Sequence, residues 1–225
     1  MMEKRKLLVT GCGRSGTRYA ALVWQSCGLD IRHERPMPPD GVMGADGMAS
    51  WYMALENPNP PPPHGPSRAD YQFDHVIHQV RHPLLAIASA AQFIFQNDPN
   101  PMIYIMKNVP EVHLKAHETT LDPNSQRFLL AMRYWLHWNL LAERSANRTI
   151  QVEQLLEKIP ELLEWMGVKN THWNTSQIPK DTNRRSDYLK NETIWTISWE
   201  QMATLEPLLC LAISQLSERY GYSST

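Results

Sequence analysis

A short apolar run, Leu7-Leu8-Val9-Thr10, stops at Gly11, and past a glycine-rich turn apolar residues return at helical spacing in Tyr19, Leu22 and Val23. A strand that feeds a helix through so tight a turn constrains the fold more than any other feature, because such a helix carries the chain back to a parallel strand. The grammar recurs. His75-Val76-Ile77-His78-Gln79-Val80 reads as a buried strand, and Pro83 stands in the first turn of a helix expected from about His82 to Phe95. Thr149 to Glu153 reads as another strand, followed by a helix over Ile159 to Met166 that Gly167 stops. Leu29 to Arg32 is a short candidate strand. From Ser125 to Ala146 the residues Phe128, Leu129, Met132, Trp135, Leu136 and Leu140 follow a helical period, so a long amphipathic helix is expected, with Trp135, Trp138 and Leu141 in the core. A closing helix from Trp199 to Tyr220 is broken or restarted at Pro207. Alternating strands and helices predict an α/β fold with a mostly parallel central sheet flanked by helices on both faces.

The 225 residues fit one domain, 1–225, with a single sizeable core. Residues 36–70 are rich in Pro and Gly, with only Ala49 to Leu55 helical in character, and read as a surface excursion that covers a site. Residues 98–124 are polar and proline-punctuated, and 171–191 read as a loop. The 22 basic and 23 acidic residues nearly cancel, so no global field steers the chain onto nucleic acid or a membrane surface, and any anion site must be local. Cys12, Cys27 and Cys210 offer neither a disulfide framework nor a metal knuckle, and the apolar run near the amino terminus is too short for a secretory or membrane segment. A cytoplasmic protein is expected.

The chemistry gathers at the strand ends. Gly11-Cys12-Gly13-Arg14-Ser15-Gly16-Thr17 lies where backbone N–H groups and a helix start converge on an anion. A nucleoside triphosphatase loop carries Lys after its second glycine; here Thr17 and Arg18 follow Gly16, and the cation sits inside the loop at Arg14. At the end of the second main strand stands Arg81, with Ser89 eight residues later, so a guanidinium and a helix hydroxyl can approach one phosphate from two directions. Glu34 follows the short strand and belongs on the same carboxyl edge, where it suits an acceptor-side base. His33 competes for that role, and a surface ion pair with Arg32 or Arg35 is the bland alternative. His113 and His117 have the spacing of a zinc pair but no accompanying Glu or third ligand, so no metal site is expected.

Val9 to Thr17 resembles the 5′-phosphosulfate loop of sulfotransferases that use 3′-phosphoadenosine 5′-phosphosulfate (PAPS). Val80-Arg81-His82-Pro83 with Ser89 resembles the second block of that family, and weaker likeness runs on through Tyr134-Trp135, Val152-Glu153 and Arg219 to Tyr222. The resemblance implies a P-loop-like architecture in which Gly13, Arg14, Ser15, Gly16 and Thr17 bind the 5′-phosphosulfate. It also implies that Arg14 stabilises the leaving phosphate and that Arg81 and Ser89 hold the 3′-phosphate, with Arg184 and Arg185 as a late basic contact. Glu34 is similar to the base of trehalose-type bacterial members, although Asp30 to Pro36 matches that setting only in part, and the Lys-x-His-x-Pro segment of mammalian cytosolic members is absent. Such an enzyme moves a sulfuryl group to a hydroxyl or amine of a small-molecule or glycan acceptor, releases adenosine 3′,5′-bisphosphate and requires no metal. Two other functions share the frame, a P-loop nucleotide kinase and a catalytically silent nucleotide-binding protein.

Overall fold

The computed structural model describes residues 2–34, 43–62, 66–96, 99–169, 178 and 193–223. Five strands form one all-parallel sheet: β1 (Glu3–Thr10), β2 (Ile31–His33), β3 (Gly47–Ala49), β4 (Tyr71–Val80) and β5 (Arg148–Gln151), in spatial order β2-β3-β1-β4-β5. The expected α/β architecture is observed. Leu7 and Val9 face one layer of helices, α1 (Thr17–Ser26) and α5 (Leu155–Trp165), through Ala20, Trp24, Leu155 and Ile159. Val80 faces the opposite layer of α2 (Pro83–Phe93), α4 (Pro123–Arg144) and α7 (Pro207–Arg219), joined by α3 (Pro99–Asn108) and α6 (Trp199–Leu205). Side chains of Leu7, Leu8, Val9 and Ile77 are all 0 % exposed, so the apolar runs read in the sequence are buried on both sheet faces. Each such side chain contributes roughly 1.5–3 kcal/mol of burial. Among the described residues no helix is long and apolar enough to cross a membrane.

Local chemistry explains the boundaries. The Asp122 side chain accepts from the N–H groups of Asn124 and Ser125 at 3.0 and 3.1 Å, and Pro123 occupies the first position of α4, so the 22-residue helix starts there. Pro207 divides the closing helical stretch into α6 and α7, as its missing N–H requires.

Part of the expected surface excursion is core. Within 36–70 lies β3, hydrogen-bonded between β1 and β2, and Ser50 to Ala54 behind it are buried, with a 3-10 turn at Tyr52–Ala54 in place of a helix over 49–55. Three residues are too few to show a periodicity. The strand fits only because residue 47 is glycine: its φ is +146°, and a Cβ there would fall 1.8 Å from the Leu7 carbonyl oxygen. In the polar stretch 98–124, α3 was hidden by Pro99 and Pro101, which sit in its first turn, where proline is tolerated. Helix α5 begins at Leu155, earlier than Ile159, after a tight turn over Val152–Gln154. Of the loop expected over 171–191, only Ile178 falls within the described residues, and Arg184 and Arg185 lie outside them.

Candidate anion-binding site

The sheet order fixes where a ligand can sit. From β1 the chain passes through α1 to β2 on one side, and from β4 through α2, α3 and α4 to β5 on the other. Adjacent parallel strands whose connections leave in opposite directions open a crevice at their carboxyl ends, the usual ligand position in such sheets. Gly11 to Thr17 follows β1 and Arg81 follows β4, so both sequence blocks meet at that crevice.

The loop is held in one shape from several sides. Arg14 and Gly16 both have positive φ, 73° and 91°, which alternate with Ser15 to make a concave turn. Gly16 suits its position because a left-handed conformation strains any Cβ. Ser15 N–H donates to the Cys12 carbonyl at 3.1 Å, and Gly13 N–H donates to the Tyr134 hydroxyl. Gln79 Nε2 donates to the Ser15 carbonyl at 2.8 Å. Since the two ends of a trans peptide point in opposite directions, a Ser15 carbonyl turned toward β4 directs the Gly16 N–H away from it. The first N–H groups of α1 lack intrahelical acceptors, as at any helix start.

Two guanidinium groups join the loop. Arg81 Nη1 donates to the Arg14 carbonyl at 3.3 Å, and Arg14 Nε donates to Ser89 Oγ at 3.0 Å while its Cζ lies 4.6 Å from the centre of the Phe93 ring. Ser15 Oγ is 0 % exposed and has no hydrogen-bond partner among the described residues. A buried hydroxyl costs free energy until something pairs with it. Cations and a helix start in one place fit the oxygens of a phosphate or sulfate ester. Burial pushes the Cys12 thiol up to about 12, so the loop cysteine is no thiolate at neutral pH.

A carboxylate stands beside the loop. Glu34, directly after β2, is 5 % exposed; its Oε2 accepts from the Trp51 N–H at 3.2 Å and its Oε1 lies 3.3 Å from His33 Nε2. The same His33 nitrogen is 3.2 Å from Thr17 Oγ1. Glu34, His33 and Thr17 thus form a chain from a buried carboxylate to the first residue of α1. Of the two arginines in the alternative surface pair, Arg32 donates its Nε–H to Asp30 Oδ1 at 2.9 Å, and Arg35 lies outside the described residues. His113 Nδ1 lies 2.9 Å from the Pro110 carbonyl, a local turn contact.

No protein-family model matches this chain, and no curated protein matches it.

Sequence reasoning brought Gly13 to Thr17, Arg81, Ser89, His33 and Glu34 to this edge, but missed the residues that hold them. Gln79, 0 % exposed, was visible as an amide in the buried strand end Val76-Ile77-His78-Gln79-Val80. Tyr134 and Trp51 reach the loop and Glu34 from distant segments, and no spacing links them. Trp138 Nε1 donates to the Trp51 carbonyl at 3.1 Å, fixing the turn that presents the Trp51 N–H to Glu34.

Proposed function

We propose that the protein is a sulfotransferase that takes the sulfuryl group of 3′-phosphoadenosine 5′-phosphosulfate. The observation that carries the proposal is the meeting, at the β1–β4 crevice, of a loop whose cation is internal at Arg14 with a strand-end Arg81 that donates to that loop's backbone. A donor with phosphates on both faces of its ribose needs two such cationic points. In this reading the acceptor oxygen attacks sulfur, the bond from sulfur to the bridging phosphate oxygen breaks, and Arg14 neutralises the charge gathering on the leaving phosphate. The acceptor's proton passes to the Glu34–His33 pair, which lies against Thr17 at the other side of the loop.

Donor selectivity tests this first. Adenosine 3′,5′-bisphosphate should raise the melting temperature far more than adenosine 5′-phosphate, since a ligand at a hundred times its Kd stabilises by about 2.7 kcal/mol. Arg81→Ala should erase the difference. Equal shifts, or an ATP preference that needs magnesium, would favour the kinase. With selectivity established, incubating acceptor pools with the donor and searching by mass spectrometry for an added sulfuryl group identifies the acceptor.

A further inference from the structure

The geometry points to Gln79 as a positioning residue that turns the Ser15–Gly16 peptide so that its N–H, rather than its carbonyl, faces the bound anion. The inference rests on the reading of the loop as a phosphate site. Gln79 is a primary amide near the carboxyl end of β4, 0 % exposed, and its Nε2 donates to the Ser15 carbonyl at 2.8 Å. The orientation of the amide follows from that partner, since a carbonyl oxygen accepts only from the donor end. Gln79 Oε1 has no partner among the described residues, so the one hydrogen bond found for this side chain goes to the loop.

The Ser15–Gly16 peptide does not orient itself. Turning its plane over changes chiefly the ψ of Ser15 and the φ of Gly16, the difference between type I and type II turns, and glycine accepts either sign of φ at similar cost. Gly16 stands at φ 91°. In that state the concave turn gathers its N–H groups, but the Gly13 N–H is taken by the Tyr134 hydroxyl and the Ser15 N–H by the Cys12 carbonyl at 3.1 Å. The Gly16 N–H comes next in the turn and has no acceptor among the described residues. Turned over, this peptide would set its carbonyl oxygen against the anion and repel it, so the side chain that prevents the flip governs affinity. Arg81 Nη1 donates to the Arg14 carbonyl at 3.3 Å, so the peptides on both sides of Ser15 are held from β4 or the residue after it.

Amide-resolved NMR of the intact chain during titration with adenosine 5′-phosphate tests this first in the parent. The Gly16 N–H should move downfield as it pairs with the anion, and the Gly13 and Ser15 N–H groups, already paired within the protein, should move less; the reverse order would overturn the inference. Gln79→Met keeps the length of the side chain and removes its donor. It should weaken adenosine 5′-phosphate and adenosine 3′,5′-bisphosphate by the same factor, about fivefold, the scale of one net hydrogen bond, and should abolish the Gly16 shift. The couplings of the Gly16 N–H to its two Hα protons depend on φ and need no ligand, and they should change in Gln79→Met. Unchanged couplings, unchanged affinity, or a loss confined to the bisphosphate would overturn the inference and leave Gln79 a packing residue. Should Gln79→Met not fold, the order of shifts in the parent still decides. If the parent binds neither nucleotide, the sulfuryl-transfer reading fails, and the same titration with inorganic phosphate decides the role of Gln79 by itself: a Gly16 shift supports it and none overturns it.

Discussion

Two glutamates are buried among the described residues, Glu118 at 3 % exposed and Glu34 at 5 %, and their partners differ in kind. Glu118 is gripped by both terminal nitrogens of Arg133 and accepts the Lys115 N–H at 2.6 Å. Those bonds, chiefly from Arg133, hold its carboxyl at about 2. An arginine cannot release its proton, so this pair has a single state and serves to fasten the 116–120 turn to α4. Glu34 faces an imidazole, which can give and take a proton, and that imidazole touches Thr17, the first residue of α1. Both carboxylates meet the cost of desolvation with hydrogen bonds. A permanent cation makes one a rivet, whereas a group that can exchange a proton stands beside the other.

Removing the proton acceptor from one pair and the cation from the other should separate the two roles most sharply. Glu34→Gln keeps an oxygen for the Trp51 N–H but cannot take a proton, so turnover should fall by roughly a hundred to ten thousandfold with bisphosphate affinity nearly unchanged. Activity retained in Glu34→Gln but lost in His33→Ala would move the base to His33, and activity in both would remove the pair from catalysis. Breaking the rivet should do the reverse. Arg133→Met leaves Glu118 buried with the more distant Lys115 ammonium, 4.0 Å away, as its cation, and denaturant unfolding should report a loss of about 3–5 kcal/mol, with the bisphosphate still bound by the fraction that folds. A stable Arg133→Met protein would mean that water reaches Glu118.

The same contrast marks what was legible in the chain. Gly11 to Thr17 and the segment from Arg81 to Ser89 are local patterns whose residues are neighbours in sequence, so strand, turn and helix signals locate them without tertiary information. The sheet followed from them, because a strand-to-helix turn admits few connections. Glu34 was placed on the right edge by its distance past the second strand, yet its burial was not visible: that depends on Trp51 and Trp138, brought in by β3 and α4. Strand β3 itself escaped because its three residues, Gly47 to Ala49, carry no periodicity. The Glu118–Arg133 pair joins two segments with no shared motif, and only the packing of the 3-10 turn on α4 reveals it.

The rivet also predicts a pH dependence. A carboxyl whose folded pKa is lowered from 4.5 to about 2 contributes stability above its unfolded value and loses it as the pH falls toward the folded one. The contribution at neutral pH is about 3 kcal/mol at most, from about 1.4 kcal/mol for each unit. The difference in unfolding free energy between parent and Glu118→Gln should therefore be constant above about pH 5 and shrink as the pH falls from there toward 2. A difference that stays flat through that window would show that Glu118 is no more acidic folded than unfolded.

The smallest expected effect concerns the loop itself, where backbone strain and the proposed leaving-group cation fall on one residue. Arg14 adopts φ 73°, a left-handed conformation that costs a residue with a Cβ roughly 1–2 kcal/mol relative to glycine. Arg14→Ala and Arg14→Gly remove the same Ser89 and Phe93 contacts and the same charge, so both should lower turnover by on the order of a hundredfold and should be indistinguishable in activity. Their stabilities should differ. The glycine variant relieves the strain that alanine keeps, offset in part by the greater freedom of glycine in the unfolded chain, so it should unfold at higher denaturant by about 1 kcal/mol. Equal stability would mean that the loop relaxes once the arginine is gone, in which case the left-handed turn is imposed by the Ser89 and Phe93 contacts rather than by the path of the backbone between β1 and α1.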